Sequence, residues 1–261
     1  MVKTEKVGRI AVVTLDRPPG NLFNYRIYDG LGDAFSELGR DTDIDVIILK
    51  ATGKNFTLGH DMEELQKVSP DNIDAHYRIV GEGLSAIYNC PKPTIAAAQG
   101  LIVGAGLAAV AACDIIIAAD DAHFMTPEIT AGIIGCTEFL ELLLPKGLVR
   151  YYAYTGKPIP AYEVYRCGGV LKLVPAKELP SEAMAVAESL LQIAPGEELG
   201  CYKQYMNQID ANNLLEKFYC GKPYGKKFLR SPNSRELYRA FFEKRRPRFL
   251  PYSLDVTGKD P

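Results

Sequence analysis

The sequence predicts an α/β fold in which a spiral core of strands and helices is followed by a helical C-terminal extension. Up to about residue 120, short apolar runs alternate with segments of helical periodicity, which is typical of largely parallel strand-helix units. A turn bracketed by Gly104 and Gly106 separates one apolar run from the helix that follows it. From about residue 137, helical patterns dominate. We therefore assign residues 1–200 to the core and residues 201–261 to the extension.

The predicted core begins with a strand, a helix and a second strand. Residues 10–15 are apolar and predict a strand, which the Arg-Pro-Pro-Gly segment at 17–20 ends. Apolar residues recur at helical spacing over 25–38 and predict an amphipathic helix. The short apolar run 46–49 is typical of a strand buried on both faces. Alternation of this kind favours parallel pairing of the two strands.

Capping and turn signals predict the rest of the core. A loop over 52–60 leads to Asp61, which we expect to cap a helix, and Glu64 three residues later completes a predicted capping box. A helical segment over 71–90 then ends at the Pro-Lys-Pro segment 91–93. The remaining predicted core elements are strand 94–98, helix 107–112 and strand 114–118.

The C-terminal part is predicted to be mostly helical. Residues 207–230 mix aromatic residues with lysines and show no clear period, so no element is assigned there. The predicted helices span 137–144, 147–154, 161–167, 181–193 and 234–245.

Composition limits the classes of protein to which the chain can belong. Of the 261 residues 47% are hydrophobic, and a net charge of −2 favours neither nucleic acid nor an anionic membrane as partner. The six cysteines form no CxxC pair and the three histidines show no ligand spacing, so we expect reduced thiols and no metal. Polar residues and glycines interrupt the apolar stretch 95–119, and the N-terminus lacks a long apolar segment. We expect a cytoplasmic protein without a membrane span or a signal peptide.

The Gly104-Ala105-Gly106 turn is the first candidate site. Glycines permit a tight turn and a close approach of the backbone to a ligand, and N–H groups at a helix start are unpaired and partly positive. The N–H of Ala105 would then stabilise an anionic oxygen. In the other interpretation the glycines only allow close packing of helix and strand, and the turn by itself favours that interpretation.

Three ionisable side chains are candidates for acid/base work. His60 directly precedes the predicted helix cap and is either a reactive imidazole or an exposed loop residue. Glu128 follows Pro127 and an apolar strand; burial would raise its pKa and suit a general acid/base, whereas an exposed Glu128 would only serve a helix dipole. Glu138 shares a helix face with Glu141, so it is either a solvated residue or a second acid.

Six motifs, in order, resemble those of the crotonase, or enoyl-CoA hydratase/isomerase, superfamily over nearly the whole chain. They are RPPGNLFN at 17–24, KNFTLGHDM at 54–62, the stretch 93–114, FMTPEITAG at 124–132, TGKPIPA at 155–161 and FFEKR at 241–245. The resemblance implies the crotonase fold, a spiral of ββα units with a C-terminal helical region that mediates trimerisation. It specifies the family but not the reaction.

The resemblance also implies roles for individual residues. The backbone N–H groups of His60 and Ala105 would bind the carbonyl oxygen of an acyl-CoA thioester, with Ala105 where the family usually has glycine. Hydratases of the family use two glutamates; Glu128 matches one of them, whereas Ala108 stands at the position of the other. The side chain of His60 would border the acyl pocket.

The implied ligand is a CoA thioester that is bound as substrate, with no permanently bound cofactor. The residues implied to contact CoA are Phe56, Leu58, Asp61, Phe241 and Lys244. In this family the last two positions often belong to a neighbouring subunit, and the implied assembly is a homotrimer or a hexamer of two trimers.

The single matched glutamate predicts a double-bond shift. Such a shift needs one group that removes a proton and returns it elsewhere, whereas water addition is readily divided between two groups. We therefore expect Glu128 to serve an enoyl-CoA isomerase. A second acid/base, either His60 or Glu138, would instead allow hydration or dehydration of an enoyl-CoA, cyclic ones included, or C–C bond hydrolysis of a β-keto acyl-CoA.

A non-catalytic or RNA-binding role belongs to another class of function. Ten basic residues between 222 and 248 are interleaved with aromatic residues, which can stack on bases. An amphipathic helix whose lysines meet CoA phosphates explains the same residues. Because Glu128 is present, we favour an enzyme and expect no nucleic-acid partner.

Overall fold

The computed structural model describes residues 1–209 and 214–249. The strands are β1 (Val2–Val7), β2 (Ile10–Leu15), β3 (Val46–Ala51), β4 (Thr94–Ala98), β5 (Leu101–Val103), β6 (Ile115–Ala119), β7 (His123–Met125), β8 (Ile159–Pro160) and β9 (Lys172–Val174). The helices are α1 (Tyr25–Arg40), α2 (Met62–Leu65), α3 (Ile73–Tyr88), α4 (Ala105–Ala111), α5 (Thr137–Leu140), α6 (Lys146–Thr155), α7 (Ala161–Arg166), α8 (Leu179–Ile193), α9 (Gly196–Ile209), α10 (Leu214–Arg230) and α11 (Pro232–Phe242). A short 3₁₀ helix, Glu128–Ala131, lies between β7 and α5.

Two sheets organise the core. Six strands form the main sheet in the order β1-β2-β3-β4-β6-β9, and β5, β7 and β8 form a second sheet of three strands. Apart from β1, which pairs antiparallel with β2, the strands of the main sheet run parallel. Strands β4 and β6 belong to the main sheet, whereas β5 and β7, which follow them directly along the chain, belong to the second sheet. The expected α/β spiral with a helical C-terminal region is therefore confirmed.

Both faces of the main sheet are buried. Along β2, Ala11 and Val13 face the larger core, which is shared with α1, α3 and α4, whereas Ile10 and Val12 face a smaller core closed by α8. Strands covered on both faces have continuous apolar sequences rather than alternating ones. This burial explains why β2, β3, β4 and β6 are predicted from the sequence.

Other elements are not predicted from the sequence, or are predicted with different bounds, for identifiable reasons. Five of the six residues of β1 are exposed, so this strand carries no apolar run. Strands β5, β7, β8 and β9 have two or three residues each, too few to show a period. Helix α5 ends at Leu140 rather than at residue 144, because residues 141–144 form turns before Pro145.

The predicted capping box at Asp61 is wrong, although Asp61 does cap α2. The Asp61 carboxylate accepts a hydrogen bond of 3.2 Å from the N–H of Glu63. The Glu64 carboxylate does not reach back to the cap; it accepts a 2.7 Å hydrogen bond from the N–H of Tyr25. The first N–H groups of a helix have no acceptor within that helix. The Glu64 carboxylate therefore serves as acceptor for the first N–H of α1, through a tertiary contact.

Residues 207–230, to which the sequence assigns no element, contain the end of α9 and all of α10. Helix α10 includes Gly221, Pro223 and Gly225, which are poor helix formers and obscure the pattern. Packing against α3 stabilises it instead, because the Phe218 ring lies 5.0 Å from the ring of Tyr77. The position of α10 decides the shape of the cavity described below.

Helix α9 is fixed to the core by a buried cation. The Lys203 side chain is 2% exposed, and its Nζ lies 2.8 Å from Oδ2 of Asp114. The same Nζ donates to the carbonyl oxygen of Lys92 at 3.2 Å. The Asp114 carboxylate also accepts from the N–H of Thr94 at 2.7 Å, which ties α9 to the starts of β4 and β6. The predicted boundary at residue 200 falls inside this helix.

We expect Lys203→Ala to lower the free energy of unfolding by about 2 kcal/mol, because it removes a buried side chain together with its ion pair, while Asp114 is 25% exposed and keeps its hydrogen bond from Thr94. Lys177→Ala is the matched control, since the Lys177 side chain is 82% exposed and its ion pair with Glu178 is 3.9 Å long. The control should change stability by less than about 0.5 kcal/mol. Urea denaturation of both variants checks the expectation, and a loss under about 1 kcal/mol for Lys203→Ala would contradict it.

Candidate active site

A cavity of about 1070 Å³ lies between the α/β core and helices α10 and α11. Its walls come from residues 58–61, α3, the turn at 103–105, the segment 125–136 and the two C-terminal helices. We call the part lined by Tyr28, His60, His76, Tyr77 and Cys136 the inner end of the cavity. The cavity therefore collects residues from distant parts of the chain.

Two backbone segments meet at the cavity wall because they are hydrogen-bonded to each other. The N–H of Thr57 donates to the carbonyl oxygen of Leu101 at 3.1 Å, and the N–H of Val103 donates to that of Thr57 at 3.3 Å. The Thr57 hydroxyl donates to the carbonyl oxygen of Asn21 at 2.7 Å and accepts from the N–H of Gly59 at 3.0 Å. The loop that carries His60 is thereby held beside β5 and the turn that follows it.

The N–H groups of His60 and Ala105 have no hydrogen-bond acceptor among the described residues. Ala105 is the first residue of α4, and Gly104 before it has φ +52° and ψ −111°, which an L side chain rarely adopts. Both His60 and Ala105 line the cavity. Two free donors beside a cavity, one of them at a helix start, can hold an anionic oxygen.

Glu128 stands directly against this turn. A Cβ atom built on Gly104 would lie 2.6 Å from Oε1 of Glu128, so a residue with a side chain would collide with the carboxylate. Oε2 of Glu128 is buried and has no partner among the described residues. Burial raises the pKa of Glu128 to about 8, although a hydrogen bond from the Cys136 thiol lowers it in part. Glu128 is thus a proton carrier near neutral pH rather than a permanent anion.

Contacts from the C-terminal half position the Glu128 segment. Gly132 has φ +70°, and a Cβ there would lie 2.3 Å from the carbonyl oxygen of Ser234 in α11. Gly156, at the end of α6, approaches the same segment, and its Cβ would lie 3.3 Å from Cα of Pro127. The 3₁₀ helix that begins at Glu128 is therefore packed between α6 and α11.

Tyrosines and histidines line the inner end of the cavity. The Tyr28 hydroxyl lies 3.2 Å from Nδ1 of His60, and the Tyr25 hydroxyl lies 3.1 Å from Nδ1 of His76. The rings of the two histidines are 5.6 Å apart. Burial lowers the pKa of His60 to about 3 and that of His76 to about 4, so both are neutral at physiological pH. The side chain of His60 is 10% exposed and is not an exposed loop residue.

Nε2 of His60 has no hydrogen-bond partner among the described residues. The carboxylate oxygen Oε2 of Glu64 is 3.8 Å from Nε2, which is beyond hydrogen-bonding distance. If the Tyr28 hydroxyl donates to Nδ1, the neutral ring carries its proton on Nε2. A buried polar atom without a partner costs about 1–3 kcal/mol of stability, so a ligand that supplies the missing partner would be favoured.

Glu138 and Ala108 occupy different surroundings from Glu128. Ala108 is fully buried within α4, and no carboxylate stands at that position. Burial raises the pKa of Glu138 to about 7, and its Oε1 has no partner among the described residues. The Glu138 side chain does not line the cavity, although Cys136 two residues earlier does. Glu141 is the solvated member of the pair and bonds to Lys217 at 3.0 Å.

The residues expected to contact CoA are only partly brought together. Leu58, Asp61 and Phe241 line the cavity, and Asp61 is held by an ion pair of 2.7 Å with Arg17. The Phe56 side chain is fully buried in the core. Lys244 is exposed beyond the end of α11 and outside the lining. Phe241 lines the cavity of its own chain.

Sequence reasoning missed Tyr28, His76 and Tyr77 as site residues. Tyr28 and Tyr77 lie on core-facing positions of the amphipathic helices α1 and α3, where apolar side chains are the usual occupants, and His76 is half-buried beside Tyr77. The presence of polar tyrosine and histidine side chains at such positions was the sequence signal that could have identified these site residues. Cys136 has φ +61°, a conformation uncommon for a residue with a side chain, and it also lines the cavity.

Several residues of the basic segment 222–248 are engaged within the chain. Lys222 and Lys226 both pair with Asp74, at 2.9 Å and 3.3 Å. Arg245 pairs with Glu236 at 2.5 Å. These ion pairs tie α10 to α3, and the residues after α11 to α11 itself.

The described part of the chain holds neither a membrane-spanning helix nor a cluster of metal-binding side chains. Over residues 1–209 and 214–249, no helix is both long and apolar enough to cross a membrane. In the same ranges, no three His, Cys, Asp or Glu side chains gather as a metal site would require.

The buried titratable groups predict that stability falls between pH 6.5 and 8. Burial gives Glu128 and Glu138 pKa values of about 8 and about 7 in the folded protein, against an ordinary value of 4.5, so the folded state binds more protons and loses stability as pH rises. The lowered pKa values of His60 and His76 act in the opposite sense, but only below their ordinary value of 6.5. Melting temperatures at constant ionic strength should therefore drop from pH 6.5 to pH 8.5, and the Glu128→Gln/Glu138→Gln double variant should remove most of that drop. An equal drop in the double variant would contradict the assignment.

The chain is similar in sequence and in fold to known proteins. A model of the family described as enoyl-CoA hydratase/isomerase matches residues 5–251. A Rhodococcus jostii protein named (7aS)-7a-methyl-1,5-dioxo-2,3,5,6,7,7a-hexahydro-1H-indene-carboxyl-CoA hydrolase is 31% identical over 82% of this chain and 83% of its own length. A probable enoyl-CoA hydratase of Mycobacterium bovis is 30% identical over 95% of this chain and 97% of its own length. The crystal structure of a probable enoyl-CoA hydratase from Mycobacterium thermoresistibile has a TM-score of 0.80 and 32% identity, and covers 87% of this chain and 94% of its own.

Proposed function

Since this chain belongs to the enoyl-CoA hydratase/isomerase, or crotonase, family, we propose that it acts on an acyl-CoA thioester through an enolate and that Glu128 is its single acid/base. The thioester carbonyl oxygen accepts hydrogen bonds from the N–H groups of His60 and Ala105. As negative charge develops on that oxygen, the two donors stabilise it more than they stabilise the neutral carbonyl. CoA is substrate and not a resident cofactor.

The reaction that this arrangement favours is a double-bond shift in an enoyl-CoA. The ionised Glu128 removes a proton from carbon, and the electron pair moves into the dienolate whose oxygen the two N–H groups hold. The protonated Glu128 then returns the proton to a different carbon, so that the double bond has moved and the enzyme is regenerated. A carboxyl with a pKa of about 8 is both a stronger base than an ordinary glutamate and a competent acid.

The observation that carries this proposal is the pairing of Glu128 with the turn, without a carboxylate at position 108. A Cβ on Gly104 would lie 2.6 Å from the Glu128 carboxylate, whereas Ala108 is buried and has no ionisable group. Glu138 lies outside the cavity lining, and His60 is neutral. One acid/base beside the two free N–H groups suffices for a double-bond shift. Hydration would need a second acid/base, or a bound water that takes the place of the second acid/base.

C–C bond hydrolysis of a cyclic β-keto acyl-CoA is the second candidate. It is favoured by two relatives, from Rhodococcus jostii and Mycobacterium tuberculosis, that are named as hydrolases of a dioxo-indene-carboxyl-CoA. In this reaction water attacks the ring ketone, Glu128 takes its proton, and the C–C bond breaks with its electron pair moving to the α-carbon. The enolate is held by the same two N–H groups, and Glu128 protonates the α-carbon.

Hydration or dehydration with His60 or Glu138 as second acid stays a further alternative, as does a non-catalytic, RNA-binding role. The proposal includes contacts of Leu58, Asp61 and Phe241 with CoA, because these residues line the cavity. It also includes a cytoplasmic location and a homotrimer or hexamer, for which the family resemblance is the support.

A panel of CoA thioesters in deuterated water tests the function. The panel holds linear 2-enoyl and 3-enoyl, cyclic enoyl, β-keto and aromatic thioesters, and mass spectrometry reads the products. A double-bond shift changes the mass only through exchanged hydrogen, whereas hydration adds one water to an enoyl-CoA and C–C hydrolysis adds one water to a cyclic β-keto acyl-CoA. We expect a shift in which deuterium enters only to the extent that the proton held by Glu128 exchanges with solvent. Water addition to the β-keto thioester would select the hydrolase, and salt-sensitive RNA binding without any turnover would overturn the proposal.

A further inference from the structure

The buried polar atoms without partners gather around the inner end of the cavity. Within the described ranges, five buried side-chain atoms lack a hydrogen-bond partner: His60 Nε2, Tyr77 Oη, Thr126 Oγ1, Glu128 Oε2 and Glu138 Oε1. His60, Tyr77 and Glu128 line the cavity; burial raises the pKa of the Tyr77 phenol, and the nearby Glu138 and Cys136 raise it further. The proposed chemistry needs Glu128, but it does not use the side chains of His60 and Tyr77.

The Tyr77 hydroxyl is the clearest of these atoms. Tyr77 is 5% exposed, and its hydroxyl lies at the contact between α3 and α10. Cβ atoms built on Gly221 and Gly225 of α10 would lie 3.2 Å and 3.1 Å from it. Two glycines one turn apart on α10 thus leave room for a hydroxyl for which the protein itself supplies no partner.

His60 supplies a second donor at the same end. Its ring is 5.6 Å from that of His76, and the ring of His76 is 5.9 Å from that of Tyr77. When the Tyr28 hydroxyl donates to Nδ1, which lies 3.2 Å from it, Nε2 carries the ring proton and is a donor. An acyl group with an acceptor oxygen at this end would give these buried groups the partner that the protein does not supply, whereas a plain hydrocarbon chain would leave both unsatisfied.

We propose that the inner end of the cavity binds an acyl group with an acceptor oxygen, a ketone or a hydroxyl, remote from the thioester, and that Tyr77 selects it by donating a hydrogen bond. The inference rests on the proposed function, since it specifies the acyl group of the same CoA thioester. The imidazole of His60 is a second polar group at the same end of the cavity. Tyr77 is a specificity residue and takes no part in proton transfer to carbon.

Binding of matched, unreactive thioesters tests the proposal without turnover. The probes are cyclohexanecarbonyl-CoA against 4-oxocyclohexanecarbonyl-CoA, and hexanoyl-CoA against 5-oxohexanoyl-CoA, measured by titration calorimetry. On the wild-type protein we expect the keto member of at least one pair to bind about tenfold tighter or more, the gain that one hydrogen bond of about 1.4 kcal/mol gives.

Tyr77→Phe should reduce this preference to under about threefold and leave the dissociation constant of the deoxy thioester unchanged. The same variant should melt no lower than wild type without ligand, because it removes a hydroxyl that has no partner. Tyr219→Phe is the matched control; its hydroxyl faces Gly81 across the same two helices, and the residue does not line the cavity. The control should keep the full preference.

Equal binding of both members of each pair by the wild-type protein would overturn the inference while leaving the proposed function intact. Retention of the preference in Tyr77→Phe would overturn the role of Tyr77. Failure of every CoA thioester to bind would remove the proposed function and this inference together. The wild-type comparison needs no variant, so a Tyr77→Phe protein that fails to fold does not prevent the test.

Discussion

Glu128→Gln should lower kcat about 10²–10⁴-fold, because the amide has the shape of the carboxyl but cannot accept a proton from carbon. The variant should still bind CoA thioesters, since the N–H groups of His60 and Ala105 are unchanged. For the wild-type protein, kcat/KM should rise with pH up to an apparent pKa near 8, where the buried carboxyl ionises. Steady-state kinetics on the best substrate of the panel, together with calorimetric binding, measure both effects.

Glu138→Gln separates a single acid/base from a pair. Glu138 is buried and has a raised pKa, as Glu128 has, but it does not line the cavity. If Glu128 works alone, Glu138→Gln should keep kcat within about tenfold of wild type and preserve the rise near pH 8. Full activity of Glu128→Gln would refute the mechanism, and comparable losses in the two variants would favour a two-carboxylate reaction.

Gly106→Ala should disable the site without touching an ionisable group. A Cβ at this position would lie 1.7 Å from Cγ2 of Thr57. Thr57 cannot rotate away freely, because its hydroxyl bonds to the carbonyl oxygen of Asn21 and to the N–H of Gly59. The clash must therefore shift the loop that carries the His60 N–H. We expect a loss of about 1–3 kcal/mol in stability and, if one oxyanion donor is misplaced, about 10²–10³-fold in kcat.

Thr57→Ser provides the rescue for this variant. Serine lacks Cγ2 but keeps the hydroxyl, so the Gly106→Ala/Thr57→Ser double variant should regain much of the stability and activity. Gly147→Ala is the control, because a Cβ at that position would meet nothing within 4 Å. Melting temperature and kcat/KM are measured for the wild-type protein, Gly106→Ala, the double variant and Gly147→Ala. Activity of Gly106→Ala within twofold of wild type, or a double variant no better than the single one, would show that the contact does not position the donors.

The sequence carried much of the fold because buried parallel strands and amphipathic helices leave local patterns. Strands β2, β3, β4 and β6 and helix α1 are predicted at their observed places, since each is covered on its apolar faces. Helix α10 is not predicted, because its glycines and proline oppose helix formation locally, while contact of its Phe218 with Tyr77 of α3 stabilises it. The family resemblance, which rests on six ordered motifs, is confirmed.

By itself the sequence determined the family, the alternation of strands and helices, and the presence of Glu128 without a carboxylate at position 108. Only the tertiary structure decided that Glu128 touches the Gly104 turn, that His60 is buried and neutral, and that Tyr77 brings an unpartnered hydroxyl to the same cavity. The physical reason is that periodicity records which face of an element is covered. The pKa of a side chain and its lack of a partner depend instead on neighbours from distant segments, which no local pattern encodes.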